Sequence, residues 1–575
     1  MSRGATTALG AALSLAAVGL VSAGTTASAA DIGPGAREMR VIVSGVPGAS
    51  SQVDRAVRAH GGHVTRELGV VNGVAATMPS DQVALLQRTP GVRSVTPDSS
   101  GTLQGVDPAL GYDVANDEGS LYNIGQATHA KDAWAHGWTG AGVDVALIDS
   151  GVAPVKGLTS GNVVDGPDLS FESQDPATAH LDTYGHGTHM GSIIAGRDVA
   201  AKGDAYAKAD SHQFNGVAPD ARLVSIKVAD NQGRADVSQV IAAIDWVTQH
   251  ANSDGLRIRV LNLSYGTDST QDPAVDPLCF AVENAWRAGI VVVVSSGNDG
   301  TSRKQLADPA IDPLVLAVGA DDTRGTDSVG DDVVPDFAQR GTAARHVDII
   351  APGLHVLGLR NPGSRIDEQN ASAAVNGRFF RGSGTSQAAA VASGLAALYL
   401  SRYPTATPDQ VKRVLMQTAT APSAVKAVYA GLGVPDINKA LGVKPPTYAQ
   451  ASTGATGSGS LEGARGSSHL SDGTTTLSGE QDIFGQAWTG PAWAAASGGG
   501  TSWADGDFNG HTWTGHTWTS DGWSGHTWTG HTWTGNNWSG HTWTSDGWSG
   551  HTWTDRGWTG HTWTSSDWDD ATWTG

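Results

Sequence analysis

Four short stretches of the chain are almost wholly apolar: Val143–Ile148, Leu223–Val228, Val260–Leu263 and Ile290–Ser295. Runs of this length without polar alternation suit parallel strands covered on both faces. Stretches with helical spacing lie between and after them, at Asp236–Asn252, Asp276–Arg287, Ser386–Arg402 and Asp409–Thr420. Strands alternating with helices predict an α/β domain over residues 129–442, with a parallel sheet and helices on both sides.

Upstream the pattern is different. Arg40–Val43, His63–Leu68, Gly73–Met78 and Val92–Thr96 read as strands, and Ser51–Ala59 and Ser80–Arg88 as helices. The order β-α-β-β-α-β predicts a small ferredoxin-like α+β module over residues 38–98. Before it, Arg3, the apolar Ala5–Val21 and the small-residue site Ala27-Ser28-Ala29 have the layout of a secretory signal peptide, residues 1–29. No later segment is long and apolar enough to span a bilayer, so the mature form is expected to be secreted and without a membrane span.

Downstream the apolar pattern fades. Residues 443–487 are rich in Gly, Ser, Thr and Ala and read as a flexible linker. Residues 488–575 then follow a five-residue period: of the eighteen positions from Trp488 to Trp573, sixteen are Trp, with Gly498 and Phe508 the exceptions. Seven of the Trp follow His-Thr, and from Asn509 onward there is no Val, Leu, Ile or Met. A low-complexity tail of spaced indoles cannot build an ordinary core. It suits multivalent adhesion to a repetitive surface such as cell-wall polysaccharide.

Composition narrows the chemistry. A formal net charge of -20 argues against nucleic acid, whose phosphates need clustered Lys and Arg. The single cysteine, Cys279, excludes an internal disulfide framework, and its place in a helical stretch suggests packing. No carboxylate cluster has calcium-loop spacing, so no metal ligands are assigned and no cofactor is expected to be required; structural calcium stays open.

Three segments stand out: Ile148-Asp149-Ser150-Gly151 after a strand, Gly185-His186-Gly187-Thr188-His189 opening a helix, and Gly384-Thr385-Ser386 opening another. Alone, each is weak, and Gly-Thr-Ser before a helix could be an N-cap. Together they supply a hydroxyl, an imidazole to take its proton and a carboxylate to fix the imidazole tautomer, each at a strand end or helix start. In these contexts and in this order, they resemble the subtilisin-like serine peptidases, the subtilases. Gly216-Val217-Ala218-Pro219, Leu263-Ser264-Tyr265-Gly266, Ser296-Gly297-Asn298 and Ala351-Pro352-Gly353 extend the resemblance, and the module at 38–98 is similar to that family's inhibitory propeptide.

The resemblance implies a serine endopeptidase acting on protein or peptide substrates, broad in specificity and matured by removal of its own propeptide between Pro97 and Ala130. It implies Ser386 as nucleophile, His186 as general base, Asp149 as the orienting carboxylate and Asn298 as an oxyanion donor. His189 matches a structural position. Ser264, Tyr265 and Gly266 would form one wall of the substrate cleft, Ser296 and Gly297 the other, and Gly233 would lie in the second segment flanking a bound peptide. Two departures stand out: Gln387 follows the nucleophile where the family usually has Met, and Ala390 stands where it usually has Pro. The rival readings are an inactive peptidase-like scaffold and a wall-binding protein working through its Trp tail.

Overall fold

The computed structural model describes residues 38–97 and 110–509, apart from 47, 174, 200–202, 209–211, 472–475 and 505–506. Past residue 509 it describes only the backbone of seven two-residue strand pieces. The signal-peptide reading of residues 1–29 and most of the Trp repeat lie outside the described residues.

The N-terminal unit has four strands, β1 (Glu38–Gly45), β2 (His63–Leu68), β3 (Gly73–Pro79) and β4 (Val92–Pro97), with helices Ser50–Ala59 and Val83–Leu86. The sheet order is β2-β3-β1-β4 and every pairing is antiparallel, which is the ferredoxin-like arrangement. Alternate residues of the central strands, Val41, Val43, Val74, Ala76 and Met78, turn inward against Val53 and Val57 of the first helix. The second helix is a single turn, shorter than the Ser80–Arg88 expected.

The second unit is built on seven parallel strands: β5 (Asp144–Asp149), β6 (Val163–Asp168), β7 (Arg222–Lys227), β8 (Ile258–Leu263), β9 (Val291–Ser295), β10 (Leu316–Asp321) and β11 (Ile349–Pro352). Their order is β11-β10-β9-β8-β5-β7-β6. The four strands expected from apolar runs are β5, β7, β8 and β9, the inner part of the sheet, where every residue of β5 and β9 is buried. The edge strand β6 escaped notice because it is half-exposed and carries Gly166 and Pro167. Helix Thr385–Arg402 is buried from Thr385 to Leu400, so it is apolar all round and shows no stripe. The unit is ordered well before residue 129: Leu110 and Val114 are buried, and Arg381 pairs with Asp117 at 2.6 Å.

The expected flexible linker at 443–487 is the main correction. Its segment runs as a strap across the helices Val237–His250 and Pro277–Arg287, with short helices Leu461–Arg465 and Gly490–Gly498. Its apolar residues, among them Leu461, Leu470, Leu477, Ile483 and Phe484, join the core of the unit, and several polar anchors are deep. Arg465 is fully buried, donating at 2.7 Å to Asp236 and 2.7 Å to the Gly479 carbonyl. The Trp493 indole is fully buried and donates to Asp245 at 2.9 Å, while Trp503 donates to the Ala242 carbonyl at 2.8 Å. Trp488, Trp493 and Phe508 are buried, so the first members of the five-residue period are core residues of this unit. Glycine-rich composition misled here because the buried apolar residues of the strap, such as Leu461, Leu470, Leu477 and Ile483, are spaced without a helical or strand period.

Candidate active site

Strand β5 lies where the strand order turns, with β7 on one side and β8 on the other. The crevice above such a switch point gathers side chains from connections that leave in opposite directions. Asp149 is the last residue of β5 and is buried. Its carboxylate accepts from His186 Nδ1 at 2.8 and 2.9 Å and from the Ser150 N–H at 2.8 Å. A carboxylate can only accept, so the ring proton sits on Nδ1 and Nε2 is left as the base.

Helix His186–Ala195 comes this close because Gly187 has no side chain. A Cβ there would stand 2.1 Å from the Gly151 carbonyl oxygen and 3.2 Å from Asp149 Cβ. No N-cap side chain serves this helix. Instead the buried Asp182 accepts from the N–H groups of Gly185 at 2.6 Å and Thr188 at 2.8 Å, satisfying donors of the first turn and placing negative charge at the positive end of the helix. Burial on its own would lower the His186 pKa. The charge of Asp149, its hydrogen bond and the charge of Asp182 outweigh that and hold the pKa above the ordinary 6.5. One turn on, His189 is different. Burial pushes its pKa down to about 4, so it stays neutral, with Nε2 at 3.0 Å from the Phe380 carbonyl.

Ser386 lies at the N-terminal end of helix Thr385–Arg402 and is buried. Its hydroxyl makes no hydrogen bond among the described residues. Thr385, which sequence reasoning overlooked, connects it to Asn298. The Thr385 N–H and hydroxyl reach Asn298 Oδ1 at 2.9 and 3.0 Å, and the same hydroxyl lies 3.2 Å from the Gly297 N–H. With Oδ1 held, Asn298 keeps its Nδ2 protons free for a ligand. Gln339 props the other side of this loop, donating its N–H to the Gly297 carbonyl at 3.0 Å.

The expected cleft residues fall where two strands end. Ser264-Tyr265-Gly266 directly follow β8, and the Ser264 hydroxyl is 3.5 Å from the Ser386 carbonyl. Ser296 and Gly297 directly follow β9. Gly233 takes φ +75° in a turn covered by the Tyr184 ring, which would stand 2.5 Å from any Cβ there. The strap touches both sides: Thr267 donates its hydroxyl to the Ala464 carbonyl at 2.6 Å, and Arg234 Nη1 donates to the Ser471 carbonyl at 3.3 Å.

Of the two departures, Ala390 is fully buried within its helix, and Gln387 is buried with Oε1 unpartnered among the described residues. Cys279 is also fully buried, and burial first, then nearby carboxylates, raises its thiol pKa well above the ordinary value. It is no nucleophile. Asp276, Cys279 and Asp308 bring three ligand-type atoms within 4.8 Å of one another, a buried group that could hold a metal ion.

A family model described as "Subtilase family" matches residues 140–445. The chain belongs to the subtilase family. A second model, "Putative peptidase inhibitor domain", matches residues 15–98. Serine protease AprX of Bacillus subtilis is 37% identical over 299 residues, covering 50% of this chain and 64% of that one. Subtilisin DY of Bacillus licheniformis is 32% identical over 293 residues, covering 51% and 88%. Extracellular serine proteinase of a Thermus species is 30% identical over 381 residues, covering 66% and 78%. Among solved structures, fervidolysin from Fervidobacterium pennivorans is 24% identical with a TM-score of 0.46, covering 73% of this chain and 63% of that one. Among the described residues, no helix is long and apolar enough to cross a membrane.

Proposed function

We propose that this subtilase is a secreted serine endopeptidase of broad specificity that hydrolyses peptide bonds through an acyl-enzyme. The observation that carries the proposal is the doubly anchored geometry: Asp149 holds His186 by Nδ1, and Thr385 holds Asn298 at the start of the helix that carries Ser386. Ser386 Oγ attacks the substrate carbonyl while His186 Nε2 takes its proton. Asn298 Nδ2 and the Ser386 N–H, at the positive end of a helix, receive the oxyanion. His186 then protonates the leaving amine, and water repeats the sequence on the acyl-enzyme. A bound peptide would lie as a strand between the segments at 233 and 264–266, held by backbone bonds, which supports broad specificity.

Secretion rests on the signal-like residues 1–29. Maturation rests on the ferredoxin-like unit upstream of the peptidase domain. Since residues from 110 onward pack into the second unit, the cut is expected between Pro97 and Leu110. The test is the Ser386→Ala full chain expressed in a protease-deficient host. It should secrete as an unprocessed precursor with no activity on casein, where the unaltered chain yields a shorter, active product by N-terminal sequencing. Normal processing of Ser386→Ala would mean another enzyme matures it, and retained casein cleavage would remove Ser386 from the mechanism.

Cell-wall adhesion is proposed for the repeat beyond Asn509. It is supported by the recurring His-Thr-Trp units, not by Trp488 and Trp493, which are spent on packing. A chain ending at Asn509 should keep peptide hydrolysis and lose retention on a cell-wall fraction; equal retention would refute it.

A further inference from the structure

The loop after β10 leaves the sheet at Asp321 and returns through a bridge in which Asp322 and Val333 exchange backbone hydrogen bonds at 2.9 and 3.2 Å. The two ends of the loop are acidic. Asp321 is 1% exposed and Asp332 2% exposed. Both oxygens of Asp321 and Oδ1 of Asp332 are sealed from solvent and have no hydrogen-bond partner among the described residues. Asp332 Oδ2 is not sealed in this way. Several buried carboxylates elsewhere in this unit are answered: Asp236 by Arg465, Asp348 by Arg345 and Lys412, Asp182 by three donors. Asp308 and Asp312 each leave Oδ2 bare among the described residues but have Oδ1 bonded, whereas Asp321 has neither oxygen bonded.

Two facing carboxylates taken out of water without a donor or a cation are costly, and like charge adds to the desolvation penalty. Burial first raises both pKa values. At Asp321 the charge of Asp332, a hydrogen bond to it through a shared proton and the charge of Asp322 add to the rise. At Asp332 the hydrogen bond with Asp321 offsets part of the rise and the charges of Asp331 and Asp322 add to it, with no basic side chain among these causes. The site is therefore one positive partner short. Its free atoms are all oxygen, with no sulfur or imidazole, which selects a hard cation. With both carboxyls ionised on binding, the two negative charges select a divalent ion, and Ca²⁺ tolerates the irregular coordination that a loop closure offers.

We propose that Asp321 and Asp332 bind a Ca²⁺ ion that clamps the loop 322–333 onto the end of β10. The clamp bears on the candidate active site through backbone alone: the Asp321 carbonyl accepts from the Gly353 N–H at 2.9 Å, and the Gly353 carbonyl accepts from the Gly384 N–H at 2.8 Å, two residues before Ser386.

The test uses the full chain carrying Ser386→Ala to prevent self-digestion, stripped with EDTA, dialysed and titrated with CaCl2. Calorimetry should show a calcium-binding event that is missing in Asp332→Asn. Calcium at about a hundredfold excess over Kd should raise Tm by about 4 °C, and Asp332→Asn should lose that rise. In calcium-free buffer, Asp332→Asn should melt no lower than its parent, because it removes one of two facing charges. That readout separates loss of an ion from damage to the fold. Asp321→Asn serves as a second variant with the same expectation. An unchanged calcium stoichiometry and an unchanged Tm rise in both variants would place any calcium elsewhere. No response to calcium in the parent would mean the two carboxyls share a proton, and the proposal would be wrong.

Discussion

The sheet of the second unit and the strap that crosses it are both deeply packed, yet they hold together by opposite means. In the sheet, β5 and β9 bury every residue, and stability is spread over many small apolar contacts. Along the strap, most residues are small or polar, and single buried side chains such as Leu461, Arg465, Leu477, Ile483, Trp488 and Trp493 are set apart from one another by less buried stretches. The sheet owes its order to its own pattern, whereas the strap also relies on buried polar partners, Asp236 at the start of helix Val237–His250 and Asp245 within it. A distributed core tolerates single changes better than one held by separate side chains, and this difference can be measured.

The sharpest way to break the comparison is to remove the strap. A chain ending at Lys444 leaves Asp236 and Asp245 without their partners and uncovers the apolar face under Trp488 and Trp493. It should fail to accumulate as soluble, active enzyme, while a chain ending at Asn509 keeps full peptidase activity. If the shorter chain melts and hydrolyses like the longer one, the strap is decoration.

Next in size is Arg465→Ala. Removing one partner of a fully buried ion pair strands the other charge, so the loss should be about 3–5 kcal/mol by denaturant unfolding. A loss below about 1 kcal/mol would mean that Asp236 finds water once the guanidinium is gone.

Asn298→Ala probes the opposite region and should do the reverse: kcat falls about 10²–10³-fold, the range associated with an oxyanion donor in subtilisin, with KM and Tm little changed. A large change in KM at constant kcat would make Asn298 a pocket wall instead.

The smallest effects are in pH, where one titrating group from each region can be compared. His186 must be neutral to act as base, so the rate should fall as pH drops through a value above 6.5. Its contribution to stability has the other sign, complete below the unfolded value and lost as pH rises through the folded one. Asp245, beneath the strap, is raised from 3.8 to about 6 by burial, which outweighs its bonds to Ser497, Ser502 and Trp493. Its stabilising effect is complete below 3.8 and lost as pH rises through about 6, so Asp245→Asn should flatten the dependence of Tm on pH in that interval with little effect on rate. An unaltered Tm profile would assign that dependence to other carboxyls.

What could be read from the sequence follows the same division. The inner strands were legible because apolar runs report burial on two faces, and Asp149, His186, Ser386 and Asn298 were legible because their short motifs fall at strand ends and helix starts. Thr385 was hidden by its ordinariness: nothing in Gly-Thr-Ser says that the threonine will hold Asn298 from 87 positions away. Asp321 and Asp332 were hidden because they meet across a closed loop, not at a regular spacing. The strap was hidden because a lone arginine in a glycine-rich stretch carries no periodicity.

The span between Asp236 and Arg465 also has a meaning in the order of synthesis. A chain made from its N-terminus acquires Asp149, His186, Asn298 and Ser386 before it acquires Arg465. Until that arginine arrives, Asp236 at the start of helix Val237–His250 has the N–H and hydroxyl of Ser238 on its carboxylate but no cation, beside the segments that would grip a substrate. A product cut short after Ser386 therefore contains all the proposed catalytic residues and lacks the residue that locks their surroundings.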